Sequence, residues 1–253
     1  MDKLSRRSFV KSVGAATLAP AALGLPALAA AAEQAVHKAS TPAASSVAAE
    51  KPLYLFFNAE EVVFIEAACE RLIPADATGP GALEAWVPNY LDKQLGAAWG
   101  SGERLYRSGP WQAGTPSQGY QLPFTPGELF HTALRAINAD LKLQGTPFGE
   151  MTADAQDAYL KSLEKGGKDL DGVPAAVFFD MLLKMTVEGY FSDPVYGGNK
   201  DMAAWKMIGF PGAYANYYEA IDKHGVKFER APMSLAQNGH GHVHVDPNIP
   251  ASL

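Results

Sequence analysis

The spacing of apolar residues predicts helices along most of the chain from about residue 55. Asn58, a good N-cap residue, is followed three positions later by Glu61, which completes a capping-box pattern. This helix should end before Pro74, because the residue before a proline avoids the helical region. Its apolar positions step by three and four, as on one helical face. They are Val62, Ile65, Cys69 and Leu72.

Four more helices follow from the same kind of pattern. Thr125, Pro126 and Glu128 are a cap, a first-position proline and an N3 glutamate. Two further helices are predicted over 152–167 and from Pro174 onwards. The helix after Thr125 has its apolar stripe at Leu129, Ala133, Ile137 and Leu141, and Gly145 can end it. An earlier helix has its apolar stripe at Val87, Leu91 and Leu95. Two short helical pieces are expected within 191–225.

These elements predict an all-α single domain of about six or seven helices, with long Gly/Pro-rich loops and flexible termini. The helix that begins at Pro174, PAAVFFDMLLKMTVEGYF, is apolar around most of its circumference. We expect it to be buried on most sides, either centrally or against another chain. The loop over 100–124 is long enough to be functional or to face a partner.

The first 29 residues match an export signal rather than part of the fold. Ser5, Arg6, Arg7, Phe9 and Lys11 have the spacing of a twin-arginine (Tat) motif. An uncharged stretch of apolar and small residues follows, with an A-x-A site that predicts cleavage after Ala29. The alternative is a membrane anchor, which the prolines, glycines and many alanines of this stretch disfavour.

Composition sets the remaining boundaries. We interpret 1–29 as signal peptide, 30–52 as flexible leader, 53–225 as the helical domain and 226–253 as a polar tail. The net charge of −6 becomes −9 without the signal, whose four basic residues outweigh Asp2. Nucleic-acid binding is therefore disfavoured, since phosphates require Lys and Arg.

Few residues suggest chemistry. The chain lacks G-x-G-x-x-G, G-x-x-x-x-G-K-[ST], C-x-x-C-H and G-x-S-x-G motifs, so we predict no catalytic residue and no cofactor in this chain. Cys69, the single cysteine, is expected to be buried, with a bridge to another subunit as the alternative. The weak candidates for a metal site are His240, His242, His244 and Asp246, but a solvated tail is the favoured interpretation because chain ends are usually disordered.

Two stretches resemble the small, or gamma, subunits of gluconate 2-dehydrogenase, a family that includes small subunits of related FAD-dependent sugar dehydrogenases. They are RLIPAD…GPGALEAWVPNYLDKQL (71–95) and EGYFSDPVYGGNKDMAAWKMIGFPG (188–212). The resemblance implies a non-catalytic subunit that binds and stabilises a flavoprotein holding FAD and supplies its Tat signal. It also implies a multihaem cytochrome c partner and a periplasmic location at the inner membrane through the complex.

The second stretch is rich in aromatic residues, which are typical of interfaces but also fill cores. Gly197, Gly198 and Asn199 are interpreted as a positive-φ turn that presents Tyr196 and Trp205. The candidates for the partner interface are Tyr190, Phe191, Asp193, Tyr196, Asn199, Trp205 and Phe210. Two alternatives to the accessory subunit remain: a free-standing periplasmic metal- or small-ligand-binding protein using the tail, and an independent secreted enzyme.

Overall fold

The computed structural model describes residues 52–112, 114–118, 121–213, 221–227 and 229–236. In this part of the chain the fold is all-α, as predicted, with six helices and one two-stranded antiparallel sheet. The helices are α1 Ala59–Leu72, α2 Val87–Gly96, α3 Pro126–Gln144, α4 Ala153–Lys165, α5 Ala175–Phe191 and α6 Ala203–Ile208. None of the described helices is long and apolar enough to cross a membrane.

The predicted caps hold the helix starts. Asn58 Oδ1 accepts the backbone N–H groups of Glu60 and Glu61, and Glu61 returns a carboxylate oxygen to the Asn58 N–H, all at 3.0 Å. Thr125 and Glu128 make the same reciprocal pair at the start of α3. Each pair satisfies amide groups that have no partner inside the helix, so both starts are encoded locally.

Helix α5 is the centre of the fold and packs against α1, α2, α3 and α4. The Phe178 ring joins α5 to its neighbours: its centroid lies 5.3 Å from that of Phe130 on α3 and 6.2 Å from that of Phe64 on α1. The predicted burial of α5 on most sides is not seen within this chain: its inner side is buried, whereas its outer side is exposed or lines a cleft.

Cys69 lies in the interior, as its place on the apolar stripe predicted. Its Sγ is 3.6 Å from Thr186 Oγ1, and the Thr186 hydroxyl donates to Leu182 O at 2.7 Å. Burial raises the pKa of the Cys69 thiol to about 12. A thiol at this depth cannot reach another chain unless α1 or α5 moves.

A small hairpin connects α4 to α5. Strand β1, Asp169–Leu170, pairs antiparallel with β2, Val173–Pro174. The two residues between the strands, Asp171 and Gly172, both have positive φ. This is the geometry that an Asp-Gly pair favours in a tight hairpin.

The region after α5 is mostly turns. Short 3₁₀ segments occupy Pro194–Tyr196 and Lys200–Met202, before α6. Of the two short helical pieces predicted here, α6 is one, while residues 214–220 lie outside the described part of the chain.

Candidate partner interface

The two stretches that carry the family resemblance meet in the folded chain. The side-chain amide of Asn89 donates to Gly197 O at 2.7 Å, and the Lys200 N–H donates to Ala85 O at 3.1 Å. The Lys200 ammonium also lies 4.0 Å from the Trp86 ring centroid, a cation–π distance. Residues 71–95 and 188–212 therefore form one unit, which we call the two-stretch unit.

Close approach between the stretches explains two glycines. A Cβ on Gly189 would lie 2.7 Å from the Tyr90 ring, so only glycine lets α5 pack this tightly on α2. Gly197 has φ +96°, and a Cβ there would meet the side chains of Lys93 and Asn89. Glycine at both positions is a packing requirement of the unit.

Asn199 organises the turn that connects the end of α5 to α6. Its side chain is fully buried, donates to Ser192 O and accepts the Ala204 N–H, both at 2.9 Å. Trp205 Nε1 donates to Phe191 O at 2.8 Å and ties α6 to the end of α5. These bonds satisfy polar groups that would otherwise be buried without partners.

Backbone strain concentrates in the same unit. Among the described residues, five non-glycine residues have positive φ, and four of them lie in the two stretches. The four are Trp86, Asn199, Asp201 and Met202. Such conformations cost roughly 1–3 kcal/mol each and persist only where the surroundings enforce them. Strain of this kind often accompanies functional positions.

Helix α5 presents its outer face to solvent beside a cleft of about 790 Å³. The helix side of the cleft includes Val177, Asp180, Met181, Lys184 and Glu188. The loop side includes Trp99, Trp111, Gln121, Leu122 and Pro123, which belong to or adjoin the long loop predicted to be functional. Exposed Leu183, Val187 and Phe191 follow at intervals of four along the same helix.

The charges at this face are largely paired. Asp180 and Lys184 form an i,i+4 ion pair at 2.7 Å. At the end of the cleft, burial and the neighbouring Glu188 carboxylate raise the pKa of Tyr90 to about 12, so its hydroxyl stays protonated. The face therefore offers apolar side chains with few unpaired charges, a composition typical of the buried centre of protein interfaces.

The first described residues are fixed to α2 by a buried carboxylate. Asp92 accepts the backbone N–H groups of Leu55, Phe56 and Phe57 at 2.8 to 2.9 Å. The segment that follows the predicted leader is therefore held to the domain. Sequence reasoning missed this role, because Asp92 looks like any polar residue of an amphipathic helix and its partners lie 35 to 37 positions away.

A model of the family described as gluconate 2-dehydrogenase subunit 3 matches residues 59–212, more than half of the chain. The chain belongs to this family. The match confirms the resemblance inferred from the two stretches, both of which lie within it. Neither a curated protein nor a solved structure is significantly similar to the chain.

For a gluconate 2-dehydrogenase subunit 3, the predicted interface residues separate into two groups. Phe191, Tyr196 and Phe210 are exposed and can contact a partner. Four others are buried and bond within the chain: Tyr190, Asp193, Asn199 and Trp205. The interpretation that the turn presents Trp205 is therefore wrong for this fold, since the Trp205 side chain is buried and its ring centroid lies 5.2 Å from that of Phe210.

Two of the buried candidates, Tyr190 and Asp193, make hydrogen bonds that hold separate parts of the domain together. The Tyr190 hydroxyl donates to Pro80 O at 2.7 Å, joining the second stretch to the first, and burial raises the pKa of this phenol. Asp193 accepts the N–H groups of Val195 and Leu235 and the Ser234 hydroxyl. Residues 233–236 of the predicted tail are therefore bonded to the domain.

The structure also accounts for one histidine outside the predicted tail. His131 is paired locally, with its Nδ1 2.8 Å from Glu61 Oε1 and its ring stacked on Phe56. Among the described residues, no cluster of three or more His, Cys, Asp or Glu could hold a metal ion. His240, His242, His244 and Asp246, and the signal residues Arg6, Arg7, Phe9 and Ala29, lie outside the described part of the chain.

Proposed function

We propose that the chain is the non-catalytic accessory subunit of a gluconate 2-dehydrogenase complex that binds and stabilises an FAD-dependent large subunit. The signal over 1–29 would take both subunits through the Tat pathway to the periplasm. A multihaem cytochrome c subunit would hold the complex at the inner membrane. Family membership supports the subunit role, and the twin-arginine pattern of Arg6 and Arg7 supports the route.

The observation that carries the binding role is the outer face of α5. A central helix normally turns polar residues to solvent, yet this one exposes Leu183, Val187 and Phe191 beside a cleft bordered by Trp99 and Trp111. A contiguous apolar surface with a polar rim is typical of a protein–protein contact. We therefore place the flavoprotein on this face.

The first test identifies the partner. The tagged chain is purified from its native host, and the eluate is examined for a large co-purifying subunit and for flavin and haem absorbance. The proposal predicts a flavoprotein band with flavin absorbance that bleaches when a sugar or sugar acid is added. A chain that elutes alone and colourless would contradict it.

The second test locates the contact with a matched pair of variants. Val187→Asp places a charge on the proposed face, where the side chain is 43% exposed. Leu143→Asp makes a similar change on α3, where the side chain is 88% exposed and away from the cleft. An unpaired charge at a buried contact typically costs 2 kcal/mol or more, so flavoprotein affinity should fall about thirtyfold for Val187→Asp.

Leu143→Asp should leave affinity unchanged within about threefold, because surface changes outside an interface have small effects. Thermal melting of both free variants shows whether each remains folded. Equal affinities for the two variants would remove the α5 face from the interface, while the co-purification test would still decide whether the subunit role holds.

A further inference from the structure

The segment over 232–236 returns to the end of the second stretch and pairs with it. The Ala213 N–H donates to Met233 O at 2.7 Å, and the Met233 N–H donates to Pro211 O at 3.1 Å. These two bonds form an isolated parallel bridge between Gly212 and Met233. The segment therefore pairs with residues 211–213, which follow Phe210 directly in the chain.

Asp193 holds the next two residues of this segment. Its buried carboxylate accepts the Ser234 hydroxyl at 2.5 Å on Oδ1 and the Leu235 N–H at 2.8 Å on Oδ2. Oδ1 also accepts the Val195 N–H at 3.0 Å. Hydrogen bonds to an ionised acceptor are among the stronger ones in proteins, so this contact is a firm attachment.

Gly212 is shaped for the returning segment. Its φ is +75°, and a Cβ at this position would lie 2.2 Å from Met233 O and 2.8 Å from the Trp205 ring. Gly212 is the last residue of the family match, whereas 232–236 lies beyond it. The final glycine of the second stretch is therefore explained by a contact with residues outside the matched region.

The attachment joins two segments that each carry an exposed ring. Asp193 follows Phe191 by two residues, and Pro211 follows Phe210 directly. The buried Trp205 connects the two residues, because its Nε1 donates to Phe191 O and its ring centroid lies 5.2 Å from that of Phe210. Fixing 211–213 and Asp193 together fixes the position of both rings.

We propose that residues 232–236 form a C-terminal latch, closed by Asp193, that sets Phe191 and Phe210 in position for binding a partner. The closed latch removes the freedom of the Phe210 segment before association, so less ordering is required on binding. The link to partner binding rests on the proposed function, in which the partner is the flavoprotein subunit. The latch itself does not.

The latch is tested in the free full-length chain by amide hydrogen exchange with a matched pair at one position. Leu235→Pro removes the N–H that bonds to Asp193, whereas Leu235→Ala keeps that N–H and shortens an exposed side chain. One hydrogen bond to a carboxylate corresponds to at least a tenfold change in the opening equilibrium.

Exchange of the Ala213 amide, whose acceptor is Met233 O, should therefore accelerate at least tenfold in Leu235→Pro and less than twofold in Leu235→Ala. Ser234→Ala, which removes the second donor to Asp193, should also accelerate it. Exchange of amides in the middle of α5 shows that the domain remains folded. Unchanged Ala213 exchange in Leu235→Pro would overturn the latch.

The proposed effect of the latch on partner binding is tested by measuring the affinity of the same variants for the purified flavoprotein subunit. We expect a loss of at least fivefold in Leu235→Pro and none in Leu235→Ala. Faster Ala213 exchange with unchanged affinity would overturn the link between latch and interface. If the unaltered chain does not bind the flavoprotein, the proposed function fails and the partner-binding half with it, while the exchange result still decides whether the latch exists.

Discussion

Replacing Asn199 tests whether the second stretch is a structural turn or a contact surface. In the unaltered chain, the Asn199 side-chain amide bonds to Ser192 O and to the buried Ala204 N–H, both at 2.9 Å. In Asn199→Ala, Ser192 O loses its donor and the Ala204 N–H loses its acceptor. A buried polar group left without a partner costs about 1–3 kcal/mol. The residue also has φ +46°, where alanine costs roughly 1 kcal/mol more than glycine.

Two such groups and the positive φ together give a loss of about 3–7 kcal/mol of unfolding free energy, a large part of the roughly 5–15 kcal/mol typical of a domain. For a chain of this size the melting temperature should fall by on the order of 10 °C. Urea and thermal unfolding of the isolated chain measure both quantities without any partner.

Two further substitutions separate the contributions. Asn199→Gly tolerates the positive φ but lacks both side-chain bonds, so it should be about 1 kcal/mol more stable than Asn199→Ala. Asn199→Asp retains an oxygen acceptor for the Ala204 N–H but sets a charged carboxylate oxygen against Ser192 O at a fully buried site, so it should be destabilised at least as much as Asn199→Gly. A destabilisation below about 1 kcal/mol in Asn199→Ala would refute the structural role. If that variant also lost flavoprotein binding, Asn199 would belong to the interface.

Three other outcomes can be measured on the same chain. With its pKa raised to about 12 by burial, Cys69 should resist thiol reagents at pH 8 and react only after unfolding; rapid native labelling would contradict its interior position. Gly189→Ala should cost about 1–3 kcal/mol, because its methyl meets the Tyr90 ring, and an unchanged urea midpoint would show that the helices can separate. The Thr125 N–H, aided by Arg107, holds the pKa of the Glu128 carboxyl below its usual range. The stability that the Glu128 carboxylate contributes to the fold is therefore present above its unfolded-state pKa and is lost as pH falls through its folded-state pKa. Glu128→Gln should therefore flatten the loss of stability below about pH 4.5, and parallel pH profiles for the two proteins would refute this.

The sequence alone determined the longer helices and most of their limits. The caps at Asn58 and Thr125 and the stop at Gly145 lie where the structure has them, and the stripe after Thr125 is buried. Each of these signals acts over three or four residues, within one turn of helix, so no knowledge of the rest of the fold is required. The resemblance of two stretches to a family could also be recognised from the sequence, because each stretch is a long continuous run of residues.

Only the tertiary structure decided what the polar and aromatic residues of that unit do. Asn89 and Asp92 find their partners 35 or more positions away, and so does Asp193 in its bonds to Ser234 and Leu235. No local pattern records a contact at such distances along the chain. Likewise Trp205 and Phe210 are both aromatic residues of one short segment, yet one is buried and the other exposed. Burial depends on how separate helices pack together, and that packing is a property of the whole domain.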